Sequence, residues 1–223
     1  MKKHKIKFWG VRGSFPTPDK DKIKIGGHTS CVEVRTANND LFIFDMGTGF
    51  VPLGNALLKE KEPPKSCNIF ISHFHWDHII GYLGFTPFFM DWFSCNIYGK
   101  KDKLNINEIF DKLHNFTFWP VEIPMYKATF NLHTFPETDL QINDSISIQS
   151  TIHGHPNGAN TYRLNIGNQS IVYCTDIEHP DKQLNQNVIQ ICKDANILIK
   201  DAQFSDNELK SHKGWGHSSW QQC

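Results

Sequence analysis

The sequence lacks the features that mark secreted, membrane-spanning and nucleic-acid-binding proteins. No apolar run approaches the length of a membrane span, and the start MKKHKIKFWG has no apolar segment before Gly10 of the kind found in a signal peptide. The 223 residues carry 23 basic and 23 acidic side chains, so no charged tail attracts nucleic acid or a membrane surface. We therefore expect a cytoplasmic protein whose partner is a small molecule.

Paired cysteines are also absent. The six cysteines are scattered along the chain, and most of them lie in apolar, strand-like segments where a thiol behaves as a small hydrophobic side chain. This pattern indicates reduced thiols. The length allows one sizeable core and is short for two, so we expect residues 1–223 to form a single domain.

The order of the apolar runs predicts two β-rich halves. Alternating patterns predict strands in the first half at residues 5–9, 31–36, 41–44, 68–71 and 96–98, and in the second half at 145–152, 161–166, 170–174 and 196–199. Helical spacing predicts helices at 51–59, 103–113 and 184–192. Such an order is typical of an α+β protein in which two sheets are flanked by helices.

The stretch from Phe85 to Phe135 differs from the rest because it is rich in aromatic residues and prolines. Two interpretations stay open. The stretch is either a packed region that covers a sheet, or a lip around a pocket opening that contacts a second copy of the chain in a homo-oligomer.

The most informative motif is HFHWDH at residues 73–78, directly after the apolar run 68–72. A buried strand that ends in this cluster presents imidazoles and a carboxylate at one sheet edge, and such a density of ligand side chains is typical of a metal site. His73 and His75 are two apart on extended backbone, so they share a face, whereas Asp77 and His78 begin the following turn or helix. His73 and His75 can bind one metal ion, while Asp77 and His78 bind a second.

Further ligands must come from elsewhere in the sequence. His155, in HGHPNG, and Asp176, in YCTDIE, each follow a β-rich run, so both can reach the same sheet edge. Considered alone, Asp176 is more typical of a turn or a helix cap, and a His-Pro pair is more typical of a loop. The HFHWDH motif favours the metal interpretation for both, and spacing alone does not choose between His153 and His155. Five other histidines are expected at the surface: His4, His114, His133, His179 and His212.

The motif HFHWDH resembles the HxHxDH signature of the metallo-β-lactamase fold superfamily. Other blocks resemble, in order, those of its phosphodiesterase branch, which includes tRNase Z and the cyclic-phosphate and cyclic-nucleotide phosphodiesterases. These blocks are FWGVRGSFPTP, GGHTSCVEV, FDMGTG, ISHFHWDHIIGY, HPNG, YCTDIE, IKDAQF and KGWGHSSW. The resemblance covers nearly the whole chain and implies a four-layer αββα sandwich with two metal ions at one edge.

The resemblance also implies how the ligands divide between two divalent ions, for which zinc is the first choice and manganese and iron are alternatives. The first ion would be held by His73, His75 and His155. The second would be held by Asp77 and His78, and Asp176 would bridge both ions.

The resemblance also bears on His155 and on Asp45. The family's ligand directly precedes a proline, which favours His155 over His153. Asp45, in FDMG, resembles a carboxylate that lies behind the ligating histidines and fixes their tautomers, with a strand-end cap as the alternative.

The activity that the resemblance implies is hydrolysis of a phosphodiester bond in a small, cyclic or nucleotide-like substrate by a metal-activated hydroxide. Two ions bridged by a carboxylate lower the pKa of a shared water towards about 7 and offset the charge on the phosphate oxygens. We assign catalytic roles to Asp77 and to Asp201 and His217, which match the proton-donating pair of the branch. For His217, simple packing at a helix start is the alternative.

Two other functions stay open: hydrolysis of thioesters or lactones by the same fold, and a non-catalytic metal-binding descendant. His217 favours phosphoesters over thioesters. The sequence has no glycine- and lysine-rich arm of the kind that grips tRNA in tRNase Z, and its formal neutrality argues against a large polyanionic substrate. Trp92, Phe118 and Trp119 either stack on a base or pack in the core.

The sequence departs from the branch at its end. Members continue past GWGHSS through a helix and a strand to a final histidine that completes the second metal site, whereas this sequence stops at Cys223. We therefore expect a fold without that helix and strand, a weak second metal site and impaired activity. A smaller departure is His28, which stands where the related block has asparagine.

Overall fold

The computed structural model describes residues 3–100, 102–136, 138–180 and 183–223. The chain divides into two compact units, an N-terminal unit (Met1–Thr134) and a C-terminal unit (Phe135–Cys223). Each unit contains one sheet, so the predicted mixed α/β class with two sheets is confirmed. The single-domain organisation stays a prediction.

The N-terminal unit is built on a mixed sheet in the order β1-β2-β3-β4-β5-β6. Its strands are β1 (Lys5–Gly10), β2 (Cys31–Arg35), β3 (Leu41–Phe44), β4 (Ser66–Ile71), β5 (Ser94–Gly99) and β6 (Thr129–Thr134). The pairs from β1 to β3 are antiparallel, and those from β3 to β6 are parallel. Parallel strands covered on both faces are expected to be continuous apolar runs, and β3 is buried at every position.

The helices of the N-terminal unit follow the apolar runs. They are α1 (Phe50–Leu57), α2 (Trp76–Ile79) and α3 (Ile106–Leu113), with 3₁₀ turns at Lys20–Lys22, Ile80–Gly84, Thr86–Phe89 and Ile123–Met125. Helix α3 begins later than the predicted residue 103 because Asn105 and Glu108 form a capping box. The Asn105 side chain accepts from the Glu108 amide at 3.0 Å, and the Glu108 carboxylate accepts from the Asn105 amide at 2.8 Å.

The core of this unit is aromatic. The ring of Phe50 on α1 stacks on Phe85 with 3.8 Å between centroids, and both side chains are fully buried. Gly54 makes this approach possible, since a Cβ there would lie 2.6 Å from the Phe85 ring. The stretch 85–135 therefore contributes buried side chains, although Phe116 and Phe118 are 71% and 82% exposed.

The C-terminal unit has its own sheet in the order β11-β10-β9-β8-β7. The strands are β7 (Leu140–Asn143), β8 (Ile146–His153), β9 (Ala159–Ile166), β10 (Gln169–Cys174) and β11 (Ile197–Lys200), and the helices are α4 (Gln186–Cys192) and α5 (Asp206–Leu209). A 3₁₀ turn covers Trp220–Gln222. Strands β10 and β11 are parallel, whereas β8 and β10 each pair antiparallel with β9. The carboxyl ends of β8, β10 and β11 consequently lie at one edge of this sheet.

The cysteines and the helix lengths can be compared with the sequence-based expectations. All six cysteines lie in the described part of the chain and are free thiols, four of them buried. Among the described residues, no helix has both the length and the apolar character that crossing a bilayer requires.

The stacked pair of phenylalanines provides a test of the N-terminal core. Replacing Phe85 by alanine should lower the free energy of unfolding by about 3–5 kcal/mol, because it removes a fully buried ring and leaves a cavity. Urea denaturation followed by circular dichroism measures this change. The exposed Phe116 is the matched control, and its replacement by alanine should change stability by less than about 0.5 kcal/mol. Equal effects of the two substitutions would contradict this packing.

Candidate functional site

The HFHWDH motif leaves the carboxyl end of β4 and enters α2. His75 has extended backbone (φ −68°, ψ 151°) and precedes the helix, as the alternation of the motif predicts. His73 Nε2 lies 3.0 Å from His75 Nδ1, and the His73 and His78 rings are 4.2 Å apart between centroids. His73 and His78 are buried. Three imidazoles thus converge in a cluster that could hold a metal ion.

Asp45 lies behind this cluster and is completely buried. Its carboxylate accepts from the Ser72 amide at 2.7 Å and from the Ser72 hydroxyl at 2.8 Å. It also accepts from His78 Nδ1 at 2.7 Å. Because Nδ1 of His78 carries the proton in this bond, Nε2 carries the lone pair that a metal ion would need.

Asp77 is held from the other side by the loop that follows β1. Its Oδ2 accepts from the Ser14 amide at 3.0 Å and lies 3.2 Å from His78 Nε2. The neighbouring Gly47 has no room for a side chain, since a Cβ there would lie 2.3 Å from the Asp77 carbonyl oxygen. Backbone packing therefore fixes where the Asp77 carboxylate lies.

The C-terminal unit distinguishes the two histidines that spacing could not separate. Both ring nitrogens of the buried His153 are used within the unit. Nε2 donates to the Thr175 carbonyl at 3.0 Å, and Nδ1 accepts from the Thr161 hydroxyl at 2.9 Å. Burial lowers the pKa of His153 to about 4, so its ring is neutral at physiological pH. Its geometry is that of a structural residue.

His155 could act as a metal ligand. Its Nδ1 donates to the Gly216 carbonyl at 2.9 Å, so Nε2 carries the lone pair. That Nε2 lies 3.8 Å from Asp176 Oδ2. Asp176 follows β10 with a left-handed backbone (φ 48°), and the Thr175 hydroxyl donates to its Oδ1 at 2.6 Å. The two candidate ligands of this unit therefore face each other.

Asp201 and His217 also lie together in the C-terminal unit. Asp201 Oδ2 is 3.4 Å from His217 Nδ1 and accepts from the Ser218 amide at 2.9 Å. The His217 ring is buried and lies 5.8 Å from the His155 ring between centroids. The proposed proton-donating pair is thus adjacent to a candidate metal ligand.

Sequence reasoning missed Glu178 and misplaced one histidine. Glu178 accepts hydrogen bonds from the Gly214 and Gly216 amides, both at 2.7 Å, and although it ends the block YCTDIE, the sequence assigned it no role. His114 was expected at the surface, but it is buried. Its Nδ1 donates to the Val121 carbonyl at 2.8 Å, and Nε2 lies 3.2 Å from the Tyr82 hydroxyl, so polar partners inside the N-terminal unit compensate its burial.

A cavity of about 350 Å³ adjoins the HFHWDH motif in the N-terminal unit. Its walls are largely apolar, with one acidic and one basic residue: Phe74, Trp76, Ile79, Asp102, Leu104, Ile109, Lys112, Leu113 and Phe118. Trp76 and Phe118 are 63% and 82% exposed. A pocket of this size, with aromatic walls and few polar groups, fits a small ring-bearing ligand.

Two ribonuclease Z proteins are similar to part of this chain. Ribonuclease Z of Thermoplasma volcanium is 27% identical over 168 residues, which are 72% of this chain and 48% of that protein. Ribonuclease Z of Picrophilus torridus is 37% identical over 106 residues, which are 46% of this chain and 28% of that protein. The chain thus spans at most about half the length of these two relatives.

Solved structures match over nearly the whole chain. The short form of human tRNase Z superposes with a TM-score of 0.72 at 18% identity, covering 97% of this chain and 85% of that one. The metallo-β-lactamase fold protein YhfI of Bacillus subtilis gives 0.68 at 21% identity, with 97% and 77% covered. A diphosphatase of the PhnP family gives 0.68 at 16% identity, with 99% and 80% covered. At these identities the likeness shows the fold alone.

The fold predicted from HFHWDH is therefore confirmed as that of the metallo-β-lactamases. The model of one family, described as anti-Pycsar protein Apyc1, matches residues 34–217. That range includes all six proposed metal ligands and both members of the Asp201–His217 pair. The chain has the metallo-β-lactamase fold and belongs to the family of the anti-Pycsar protein Apyc1.

Proposed function

We propose that the protein is a metal-dependent hydrolase that cleaves a phosphodiester bond in a small, cyclic or nucleotide-like substrate. The observation that carries this proposal is the contact of 3.4 Å between Asp201 and the buried His217. Hydrolysis of an ester with an alkoxide leaving group needs a proton donor, and an imidazole beside a carboxylate is suited to that task.

The donor set fits divalent metal ions. The proposed ligands are imidazoles and carboxylates, a set that suits zinc first and manganese or iron as alternatives. His78 and His155 both donate through Nδ1 to protein oxygens, so each offers Nε2 as a ligand atom. We assign His73, His75 and His155 to one ion, Asp77 and His78 to a second, and Asp176 to both.

Bound ions would lower the pKa of a coordinated water and offset negative charge on the phosphate oxygens. Protein side chains supply the proton donor and hold the ligands in position. Asp201 lies against the Nδ1 side of His217, and His217 Nε2 gives its proton to the leaving oxygen. Asp77 acts as a ligand whose position the Ser14 amide fixes.

A small substrate is favoured over nucleic acid. The chain has equal numbers of acidic and basic residues, whereas affinity for a nucleic acid depends on an excess of Lys and Arg contacts to phosphates. The cavity beside HFHWDH has room for one base, and the exposed rings of Trp76 and Phe118 offer stacking surfaces. Of the two interpretations that the sequence leaves open for Phe118, this proposal adopts stacking on a base.

Replacing His75 by alanine should abolish both metal binding and turnover of bis(p-nitrophenyl) phosphate, because the variant loses a ligand of the first ion. Elemental analysis and absorbance kinetics measure the two effects. His133, which is exposed on β6, is the matched control, and its replacement by alanine should leave both unchanged. Full turnover by the His75 variant would reject the ligand assignment.

The substrate class is tested on the same preparation with a panel that contains a phosphodiester, a 3′,5′-cyclic nucleotide, a thioester and a tRNA precursor. We expect hydrolysis of the first two and little of the others. Faster turnover of the thioester, or of the precursor, would overturn the proposed substrate class while leaving the metal assignment intact.

Replacing Asp45 by asparagine should lower metal affinity by about 10–100-fold, because an amide cannot accept all three hydrogen bonds and no longer fixes the tautomer of His78. Competition with a fluorescent zinc chelator measures the affinity. The exposed Asp91 is the control, and its replacement by asparagine should not change it. Unchanged affinity in the Asp45 variant would show that the carboxylate does not support the ligands.

Replacing Trp76 by alanine should raise KM for a cyclic nucleotide by about 5–150-fold, because stacking of a base on an aromatic ring contributes about 1–3 kcal/mol. Steady-state kinetics measure KM and kcat separately. Trp92 is a matched control because it is 38% exposed and does not line the cavity. Equal KM values for the Trp76 and Trp92 alanine variants would place the base elsewhere.

A further inference from the structure

We propose that Glu178 is a positioning residue that anchors the loop bearing His217 and thereby sets the direction from which this imidazole donates its proton. The inference rests on the proposed function, since it assigns a role in the same reaction. Glu178 lies two residues after Asp176 and far in sequence from the loop that it holds.

The side chain of Glu178 binds the loop through both of its oxygens. Oε1 accepts from the Gly214 amide and Oε2 accepts from the Gly216 amide, each at 2.7 Å. Short bonds of this kind between amides and a carboxylate are stronger than bonds between neutral groups. Both glycines have positive φ, 87° and 85°, a conformation that aims alternate amides at one anion.

The same loop is tied to the ligand loop of the C-terminal unit. The Gly216 carbonyl accepts from His155 Nδ1 at 2.9 Å, and the Glu178 amide donates to the Gly154 carbonyl at 2.8 Å. A Cβ at position 216 would lie 2.1 Å from His155 Nδ1, so only glycine fits. Glu178, Gly216 and His155 therefore form a closed set of hydrogen bonds that joins three loops.

His217 is fixed from both sides by this arrangement. The preceding residue, Gly216, is held at its amide by Glu178 and at its carbonyl by His155. The following residue, Ser218, is held at its amide by Asp201 Oδ2 at 2.9 Å. Asp201 thus orients the ring directly, whereas Glu178 determines where the backbone that carries the ring lies.

A carboxylate is needed for this role. Glutamine has a single oxygen acceptor, so Glu178→Gln can keep one of the two bonds, and its amide nitrogen would face a backbone N–H. The expected consequence is a loop that samples other positions, with a poorly placed His217, in a unit that is otherwise folded.

The test uses two leaving groups. The p-nitrophenolate of bis(p-nitrophenyl) phosphate is stable as an anion and leaves without a proton, whereas the sugar alkoxide of a 3′,5′-cyclic nucleotide requires one. General acid catalysis contributes about 10²–10⁴-fold, so partial misplacement of His217 in Glu178→Gln should lower kcat for the cyclic nucleotide by about 10–100-fold. The rate with bis(p-nitrophenyl) phosphate should change by less than about threefold.

Amide hydrogen exchange gives a readout that does not depend on activity. Exchange at Gly214 or Gly216 should become faster in Glu178→Gln by about tenfold or more in metal-free protein, because a protecting bond is lost. Glu208→Gln is the matched control, since the Glu208 carboxylate accepts from the Ser205 amide at 2.8 Å in the same unit but only caps α5. This control should leave the kinetics with both substrates and the exchange of both glycines unchanged.

A second variant covers the case in which Glu178→Gln does not fold. Gly214→Ala meets no atom within 4 Å, but alanine disfavours the left-handed conformation at this position (φ 87°), so it disturbs the loop from its other end. It should produce the same dependence on the leaving group. Equal slowing of both substrates, or unchanged exchange of both glycine amides in a folded variant, overturns the inference. Failure of the wild-type protein to cleave any phosphodiester would instead refute the proposed function, and the exchange measurement would still decide whether Glu178 anchors the loop.

Discussion

The burial of the Asp45 carboxylate is the constraint on which the N-terminal part of the site depends. A fully buried carboxylate is costly unless hydrogen bonds compensate its lost hydration. Asp45 meets this requirement with two donors on Ser72 and one on His78. Since Ser72 directly precedes His73, the same group fixes how the chain leaves β4 and which nitrogen of His78 carries the proton. The need to satisfy one buried charge therefore determines the geometry of the HFHWDH motif.

The C-terminal unit uses the same principle with different acceptors. Asp201 binds the Ser218 amide and faces His217, and Glu178 binds two glycine amides of the same loop. His155 is oriented by a backbone carbonyl instead of a carboxylate. In every case an oxygen acceptor fixes Nδ1 of an imidazole or the backbone that carries it. Orientation of the imidazoles thus depends on acceptors that are dispersed along the sequence.

This dispersion explains what could be predicted from the sequence. Strands such as β3 and β10 were predicted closely because their burial follows the apolar pattern, whereas β6 and β7 were missed because exposed and half-buried residues alternate along them. HFHWDH could be interpreted because its ligands are contiguous. The choice between His153 and His155 depends on which nitrogens find partners in the fold, and spacing carries no such information. The role of Glu178 could not be found because its partners are backbone amides 36 and 38 residues away.

Two carboxylates of the candidate site lie on left-handed backbone. Asp45 and Asp176 both have left-handed backbones, with φ of 60° and 48°. Such conformations cost about 1–3 kcal/mol for residues other than glycine and persist where the surrounding structure determines them. Glycine would remove the strain at either position, but it would also remove the oxygen atoms that accept from His78 and lie opposite His155. At both turns the aspartate therefore combines a backbone conformation that favours glycine with side-chain oxygens that glycine lacks.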